Sequence, residues 1–497
     1  MKKYLIGIII LITGALTMIF ELAGARVLGP YYGTSIFVWT SLIGVVMGSL
    51  SAGYWFGGWY STQRSDYVPL FWMLLIASVF VLVTATGHDY ILKRIIKYVP
   101  GFRTRIFASA LFLFGPASVF FGMILPYAIK IKINNVRTSG SAVGNLYALS
   151  TLGSILGTFM AGFVLVPAYG YANILYSISA VLIIFSLLTF IPTRKWVFAT
   201  AIAFCGALLT ILWIKENSRD IDYVDVDTQY NRVIIYNTTD QPTGRPVKML
   251  KVNDERSSAM FTDKDDDLVF EVLKYYRLAE HFNKELKSSL MIGGSGYAFP
   301  KDYLSRYPEA SIDVVEIDPG LTALAKQYFK LPDDPRLSIF HEDGRTYLNR
   351  CTKKYDAVFM DAYKSMITIP YQLTTIEAIK KIHDVLTEKG AVYANVISSL
   401  DYETNYFLRA ELATYREVFP YVYLFAVQYP NPTEEEKKYF QNIMLVASKT
   451  EIPSGTSENE AINTYLSNRI YLEETGEIEI LTDEYAPVEY YAAKVLH

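Results

Sequence analysis

Seven stretches of the chain are apolar over about twenty residues each, long enough to cross ~30 Å of hydrocarbon as helices. They lie at 4–28, 36–58, 69–87, 106–129, 142–166, 171–191 and 196–214. Each is too long for a buried strand, and a water-soluble core has no use for seven in succession. Within them small residues recur at helical spacing, Gly44, Gly48 and Ala52, then Gly153 and Gly157. Such spacing lets helix backbones approach closely in lipid, so these read as packing positions. Glu21 and Arg26 fall in or at the end of the first stretch. Charge inside a bilayer is costly, so a structural ion pair is expected in preference to a substrate or proton path. The segment 88–105 sets Lys93, Arg94, Lys97, Arg103 and Arg105 among apolar residues. It reads as an amphipathic helix lying on a leaflet or as a solvated basic loop.

The texture changes at Asp222. Short alternating runs, Val224–Val226, Arg232–Tyr236 and Val247–Val252, flank the turn Gln241-Pro242-Thr243-Gly244 and predict a small β-subdomain. Leu268, Val269, Val272, Leu273 and Tyr276 then keep helical spacing. After them strands and helices alternate. Ser289–Ile292, Ile312–Glu316, Leu337–Phe340, Ala357–Met360 and Ala391–Ile397 read as strands, with helices near 299–307 and from Gly320. That alternation predicts a parallel, doubly wound sheet with its ligand at the carboxyl ends of the strands. Three regions result: a transmembrane helical bundle over 1–215, a β-subdomain with a connecting helix over 222–285, and a Rossmann-like catalytic domain over 286–497.

Composition agrees with this division. Hydrophobic residues make up 52% of the chain and charged residues 19%, which excludes a disordered or nucleic-acid-wrapping chain. Up to Lys215 there are 15 basic and 3 acidic residues, and the remainder carries a balance of −15. Two cysteines, Cys205 and Cys351, cannot build a disulfide framework. The five His form no ligand pair, so no metal site is expected. The opening Met-Lys-Lys resembles a signal peptide, but the apolar run after it is too long, so it is read as a retained span.

The candidate chemistry lies just past the strand ends. After the first parallel strand comes Gly293-Gly294-Ser295-Gly296, where small residues let a ligand approach the backbone. After the second comes Glu316, placed about twenty residues on to accept hydrogen bonds from ribose hydroxyls. Glu342-Asp343-Gly344-Arg345 follows the third, and Asp361 the fourth. One such acid alone reads as a helix N-cap. Four strand ends carrying Gly or acid in register make that capping reading much weaker. No Walker-type Lys-Ser/Thr follows the glycines, which argues against nucleoside triphosphate hydrolysis.

In these residues the chain resembles the spermidine synthase family, relatives of the S-adenosylmethionine (SAM)-dependent methyltransferases. The resemblance runs over about 225–400. It is carried by Gln229-Tyr230, Ile292-Gly293-Gly294, Val315-Glu316-Ile317-Asp318-Pro319, Asp334-Pro335-Arg336-Leu337, Asp343-Gly344-Arg345 and Tyr355 through Asp361. The whole chain is similar to a bacterial branch that fuses this domain to a transporter-like bundle. Glu21 through Arg26, the turn 53–58, Gly144 through Ala148, Ile369 through Thr374, Leu481-Thr482-Asp483 and Ala486 through Glu489 are typical of it. The fold implied is a bundle of about seven spans, a β-subdomain and an α/β Rossmann-like domain of the methyltransferase and spermidine synthase type.

The resemblance implies SAM or decarboxylated SAM as substrate. Glu316 would hold the ribose and Asp343 the adenine amino group, with Gln229, Tyr230, Gly293, Gly294, Gly296 and Gly344 around them. Asp361 and Tyr363 would be catalytic, Asp361 orienting and deprotonating an amine that attacks a carbon beside the sulfonium. An aminopropyl group would be transferred and methylthioadenosine released. Partners expected are the lipid bilayer, a small amine or SAM-derived substrate, and a second copy in a homodimer, but not nucleic acid. The location implied is a bacterial cytoplasmic membrane with the catalytic domain in the cytoplasm. Eight basic residues against five favour an internal N-terminus, yet seven crossings would then put that domain outside.

The chain also departs from the family. Gly296 stands where the glycine motif carries Asp, Lys364 where a second acid follows the reactive Asp, and Val269-Phe270 where Tyr-His precedes Glu271. These are the amine-holding positions, and a diamine needs carboxylates to offset its desolvation. Three readings therefore stand: an aminopropyltransferase; a lyase, cyclase or methyltransferase acting on SAM itself; and a nucleoside-sensing transporter without turnover.

Overall fold

The computed structural model describes residues 2–33, 35–64, 66–133, 139–190, 223–253, 255–264, 267–362, 368–452, 455–472 and 478–496. The chain divides into two compact units, Met1–Ile221 and Asp222–His497.

The first unit is helical: α1 Lys2–Tyr32, α2 Ile36–Gln63, α3 Tyr67–Tyr98, α4 Phe102–Lys132, α5 Ser139–Met160 and α6 Tyr171–Phe190. After Met160, α5 continues through a π-helical turn, Ala161–Leu165. Among the described residues, six helices are long and apolar enough to cross a membrane, which supports membrane association. The seventh stretch, 196–214, lies outside the described residues. Internal prolines 30, 116 and 126 do not end their helices, as is common in membrane bundles where neighbours re-satisfy the freed carbonyls. The basic segment 88–105 is neither a separate surface helix nor a free loop. It is the last three turns of α3, a turn at 99–101 and the first residues of α4.

Glycines set the closest helix contacts, but not all those singled out by spacing. A Cβ on Gly53 would lie 2.1 Å from the Val119 carbonyl, and one on Gly57 2.5 Å from that of Met123, which locks α2 against α4. Gly153 and Gly157 meet Leu11 and Ala15 in the same way, joining α5 to α1. Gly44 and Gly48 face open space. The helix buries the roughly opposite face, about 140–180° round, an assignment that spacing alone does not make. Nor do Glu21 and Arg26 pair. Five residues apart, they point about 140° away from each other, and among the described residues Glu21 has no hydrogen-bond or ion-pair partner. The buried polar contacts lie elsewhere. His88 meets the Thr84 carbonyl at 3.1 Å and Tyr171 Oη at 2.9 Å, and its neighbour Asp89 accepts from Tyr31.

The second unit opens with an antiparallel meander, β1 Tyr223–Asp227, β2 Arg232–Thr239, β3 Pro246–Val252 and β4 Glu255–Phe261. β4 begins Glu-Arg-Ser-Ser, and this polar start hides it from an alternation test. Two short helices follow, α7 Glu271–Tyr275 and α8 Ala279–Phe282. The main sheet comprises β5 Ser288–Ile292, β6 Ser311–Val315, β7 Leu337–Phe340, β8 Tyr355–Met360, β9 Leu386–Ser398, β10 Tyr421–Ala426, β11 Gln441–Ser448 and β12 Arg469–Ile470, in the order 12-10-11-9-8-5-6-7. Strands β5 to β9 are parallel, and β10, β11 and β12 add an antiparallel edge.

The chain winds outward from β5 through β6 to β7, then returns to lay β8 and β9 on the other side. The crevice at that reversal, between β5 and β8, is where open α/β sheets bind ligands. Helices α9 Ala298–Arg306, α10 Pro319–Tyr328, α11 Gly344–Arg350 and α12 Ile376–Val385 follow the parallel strands. Buried aromatics fix the sheet beneath the crevice, with Phe299 and Phe359 ring centroids 4.6 Å apart and Tyr276 4.9 Å from Phe299. The meander packs Val233, Ile235, Leu250 and Met260 against Leu321 and Phe329 around α10. Its opposite face holds Val247, Met249 and Phe261 against Val269 and Phe270.

The glycine contacts yield a direct contrast. Gly53→Leu should lower the thermal midpoint of detergent-purified protein by several degrees, since overpacking costs about 1–3 kcal/mol or more. Gly48→Leu, on open space, should leave it within a degree or two. Equal midpoints would contradict the helix contacts described here.

Candidate active site

Glu316 follows β6 and is buried. Its Oε2 accepts from the backbone N–H of Gly294 and of Ser295, both at 2.9 Å, and its Oε1 from that of Asp318, also at 2.9 Å. One carboxylate thus ties the glycine turn after β5 to the turn after β6. Burial raises its pKa, and the three backbone donors work against that rise. Both lone pairs of Oε2 are used, and Oε1 accepts one of the three bonds.

The turn it holds is strained. Gly293, Ser295 and Tyr297 have φ of +96°, +45° and +56°, and each non-glycine in that region costs roughly 1–2 kcal/mol. A Cβ on Gly293 would sit 2.2 Å from the Asp361 carbonyl, so glycine is required where the turn crosses the end of β8. A Cβ on Gly294 would sit 2.8 Å from the Tyr297 ring. One on Gly296 would sit 2.5 Å from Ser258 Oγ of β4, so this glycine seats the turn on the meander.

Asp318, two residues past Glu316, is fully buried. It caps α10 through Gly320 N–H at 2.9 Å and accepts from Asn231 Nδ2 at 2.7 Å and from Thr228 Oγ1. Those residues bracket the β1–β2 turn, so Asp318 fixes the turn that carries the exposed Gln229 and Tyr230. Asn253 steadies Asn231 through a 2.7 Å bond. The motif containing Asp318 is plain in the sequence, but its function as a clip needs the fold.

At the third strand end Asp343 caps α11 through Thr346 N–H at 3.0 Å and accepts from Gln372 Nε2 at 3.2 Å. Gly344 lies against Ile292: a Cβ on this glycine would sit 2.7 Å from Ile292 Cγ2, which brings α11 onto β5. Arg345 binds Asp483 at 2.7 Å, and Thr375 donates to the same carboxylate at 2.6 Å. Three distant motifs, around 343, 372 and 483, therefore meet at the end of β7.

Asp361 ends β8. The register that pairs Met360 with Ala394 sets it beside Asn395, whose Nδ2 donates to Asp361 Oδ1 at 2.9 Å. Burial pushes the Asp361 carboxyl up to about 6, with the Asn395 bond pulling the other way. It borders a cleft of ≈ 920 Å³ between the meander, the segment 267–274 and the strand ends, a size suited to a small-molecule substrate. Several acids around that cleft are already matched by bases. Arg277 binds Asp267 at 2.8 Å and Asp302 at 2.7 Å, Lys274 binds Glu271 at 3.0 Å, and Arg245 binds Asp263 at 2.9 Å. Tyr363 and Lys364 lie outside the described residues. Among the described residues no three His, Cys, Asp or Glu side chains gather as a metal site.

The crevice gathers glycines at one strand end and acids at three, at the place where open α/β sheets bind their ligands. Residues 272–450 match the spermine/spermidine synthase domain. A polyamine aminopropyltransferase of Vibrio vulnificus is 32% identical over 29% of this chain and 48% of its own length. A probable polyamine aminopropyl transferase of Bifidobacterium longum is 31% identical over 41% of this chain and 48% of its own. The chain spans about half the length of these curated relatives. Among solved structures, a probable spermidine synthase from Corynebacterium glutamicum is 24% identical, with a TM-score of 0.41 over 47% of this chain and 83% of that one.

The raised Asp361 pKa makes a stability prediction. An acid whose folded pKa exceeds its unfolded value of 3.8 destabilises the fold when ionised. The penalty is absent below the unfolded value and complete above about pH 6. At 1.36 kcal/mol per unit it amounts to no more than about 3 kcal/mol. Asp361→Asn should therefore raise the thermal midpoint at pH 8, and the gain should shrink as the pH falls through 6 toward 4. A midpoint lowered at every pH would contradict the burial assigned to this carboxyl.

Proposed function

We propose that the protein is a membrane-associated aminopropyltransferase that uses decarboxylated SAM and releases methylthioadenosine. The observation that carries the reading is the position of Asp361. It is a half-buried carboxylate at the β5–β8 crevice, one backbone contact from the glycine turn that Glu316 clamps. The spermine/spermidine synthase domain match supports the same chemistry.

In this reading the ribose binds the free position on Glu316 Oε1, and the adenine lies by Asp343 and Gly344. Gln229 and Tyr230 cover the ribose from the β1–β2 turn. The sulfonium end then faces Asp361. The acceptor amine attacks the methylene beside the sulfonium, a C–N bond forms, and the C–S bond breaks with its electron pair left on sulfur as a neutral thioether. Asp361 takes the proton that the new ammonium releases, which requires it to be ionised beforehand, so the rate should fall below about pH 6. Tyr363 is assigned beside it by family pattern.

A second reading, turnover of SAM itself by a lyase, cyclase or methyltransferase, draws on a separate observation. Asp267 and Glu271, which line the cleft, are neutralised by Arg277 and Lys274, which weakens the cleft's hold on a dication and suits a donor that keeps its carboxylate.

The location assigned is a bacterial cytoplasmic membrane with the second unit in the cytoplasm, where adenosyl donors are made. Six crossings return a chain to the side where it began, and the basic-residue count puts that side inside. This topology leaves 196–214 uncounted as a crossing.

Purified full-length protein should be supplied with SAM or decarboxylated SAM, with and without putrescine, and the released nucleoside identified by mass spectrometry. Methylthioadenosine only from the decarboxylated donor with amine is the expected result, and Glu316→Ala should reduce it at least 100-fold. Methylthioadenosine from SAM alone would replace the proposal with the lyase or cyclase reading, and S-adenosylhomocysteine with methyl transfer. Nucleoside binding without any product would leave a sensor.

A further inference from the structure

Behind Asp361 runs a chain of side-chain amides whose orientations the backbone dictates. It starts at Asn442 in β11, whose main-chain N–H can only donate. That N–H lies 2.8 Å from a Gln428 side-chain oxygen, which must therefore be Oε1. Gln428 Nε2 is then the donor to Asn442 Oδ1 at 2.8 Å. With its oxygen so used, Asn442 turns Nδ2 toward Asn395 Oδ1 at 2.9 Å, and Asn395 turns Nδ2 toward Asp361 Oδ1 at 2.9 Å. Amide orientations are ordinarily ambiguous, but here one peptide N–H removes the ambiguity from three side chains in turn.

Sheet register assembles the chain. β9 and β11 pair Asn395 with Met444 and Ile397 with Asn442, so the two asparagines are diagonal neighbours on one face. Gln428 lies just past β10, and Val427 N–H binds the Asn442 carbonyl at 3.1 Å. Asn395 is buried in an otherwise apolar run of β9, a position where an amide is costly unless bonded.

We propose that Asn395, Asn442 and Gln428 are positioning residues for the reaction at Asp361, forming a one-way amide relay that commits Oδ1 to accepting a hydrogen bond and leaves Oδ2 as the oxygen that receives the substrate proton. The proposal rests on the reading of Asp361 as the reactive carboxylate. A donor held permanently at Oδ1 favours the ionised form and excludes the proton from that oxygen. Reversing the relay at its far end would turn the Asn395 carbonyl oxygen toward Asp361 and disfavour ionisation, although nothing in contact with Asp361 had been replaced.

Other charges bordering the cleft among the described residues are Lys251 of β3, Glu255 and Arg256 of β4, Asp267 before α7, and Glu271 and Lys274 within it. The β2–β3 turn adds Asp240 and Arg245. Among the described residues, the side chain that hydrogen-bonds the Asp361 carboxylate is Asn395, which makes the relay a lever on its ionisation.

Asn442→Asp in the full-length protein tests the relay. The carboxylate introduced at that position still accepts from Gln428 but cannot donate to Asn395, so Asn395 must reverse. The acid limb of the pH–rate profile should move up by about one pH unit, with methylthioadenosine affinity unchanged. Gln428→Glu, which keeps the bond from Asn442 N–H and deletes only the Nε2 donor, should move it in the same direction by less, and serves if Asn442→Asp does not fold. Carboxyl titration of [13C]aspartate-labelled protein, with the Asp361 signal identified by its loss in Asp361→Asn, reads the same shift without turnover. If the wild type forms no product from any donor, the functional reading fails, and the titration alone decides the relay. An Asp361 titration unmoved in both variants, with nucleoside affinity intact, would overturn the proposal.

Discussion

The turns after β5 and β6 depend on the buried Glu316 carboxylate. Its three backbone hydrogen bonds join the turns after β5 and β6 and hold Gly293, Ser295 and Tyr297 at positive φ. A carboxylate is suited to this task because it only accepts, and peptide N–H groups in a turn only donate. Left unpaired, the charge would be too costly to bury. Shared among donors that would otherwise be orphaned, it closes the local accounting of polar groups. Asp318 extends the clamp to the β1–β2 turn, and Gly293 brings the Asp361 backbone within reach.

The reactive side of the crevice follows a different logic. Asp361 is held by one side-chain amide and is otherwise desolvated, which leaves its proton affinity high enough to accept and release a proton near neutrality. The acids around it are largely neutralised by neighbouring bases. At the cleft Asp267 and Glu271 are paired with Arg277 and Lys274, whereas the turns after β5 and β6 are closed by the Glu316 carboxylate.

Much of this was legible in the sequence. Long apolar runs mark the six described helices because lipid demands length and apolarity above all, and the parallel strands announce themselves by apolar runs ending in Gly or acid. What was missed depends on contacts between elements. Gly44 and Gly48 have the spacing of packing glycines, but Gly53 and Gly57 make the contact, since which face of a helix is buried depends on its neighbours. Strand β11 follows β10 with no α-helix between them, and β4 opens with polar residues. Asn395 was the readable hint, an amide within an apolar strand, but its partners Asn442 and Gln428 lie some forty residues on and meet it only through the register of β9, β10 and β11.

Hydrogen–deuterium exchange across 288–320, followed with and without methylthioadenosine, tests the clamp most directly. The account predicts that the amides of Gly294, Ser295 and Asp318 are slow to exchange in the free protein, slower still with the nucleoside, and fast in Glu316→Ala whether or not nucleoside is added. Fast exchange at all three in the free wild-type protein, or protection that survives Glu316→Ala, would contradict it.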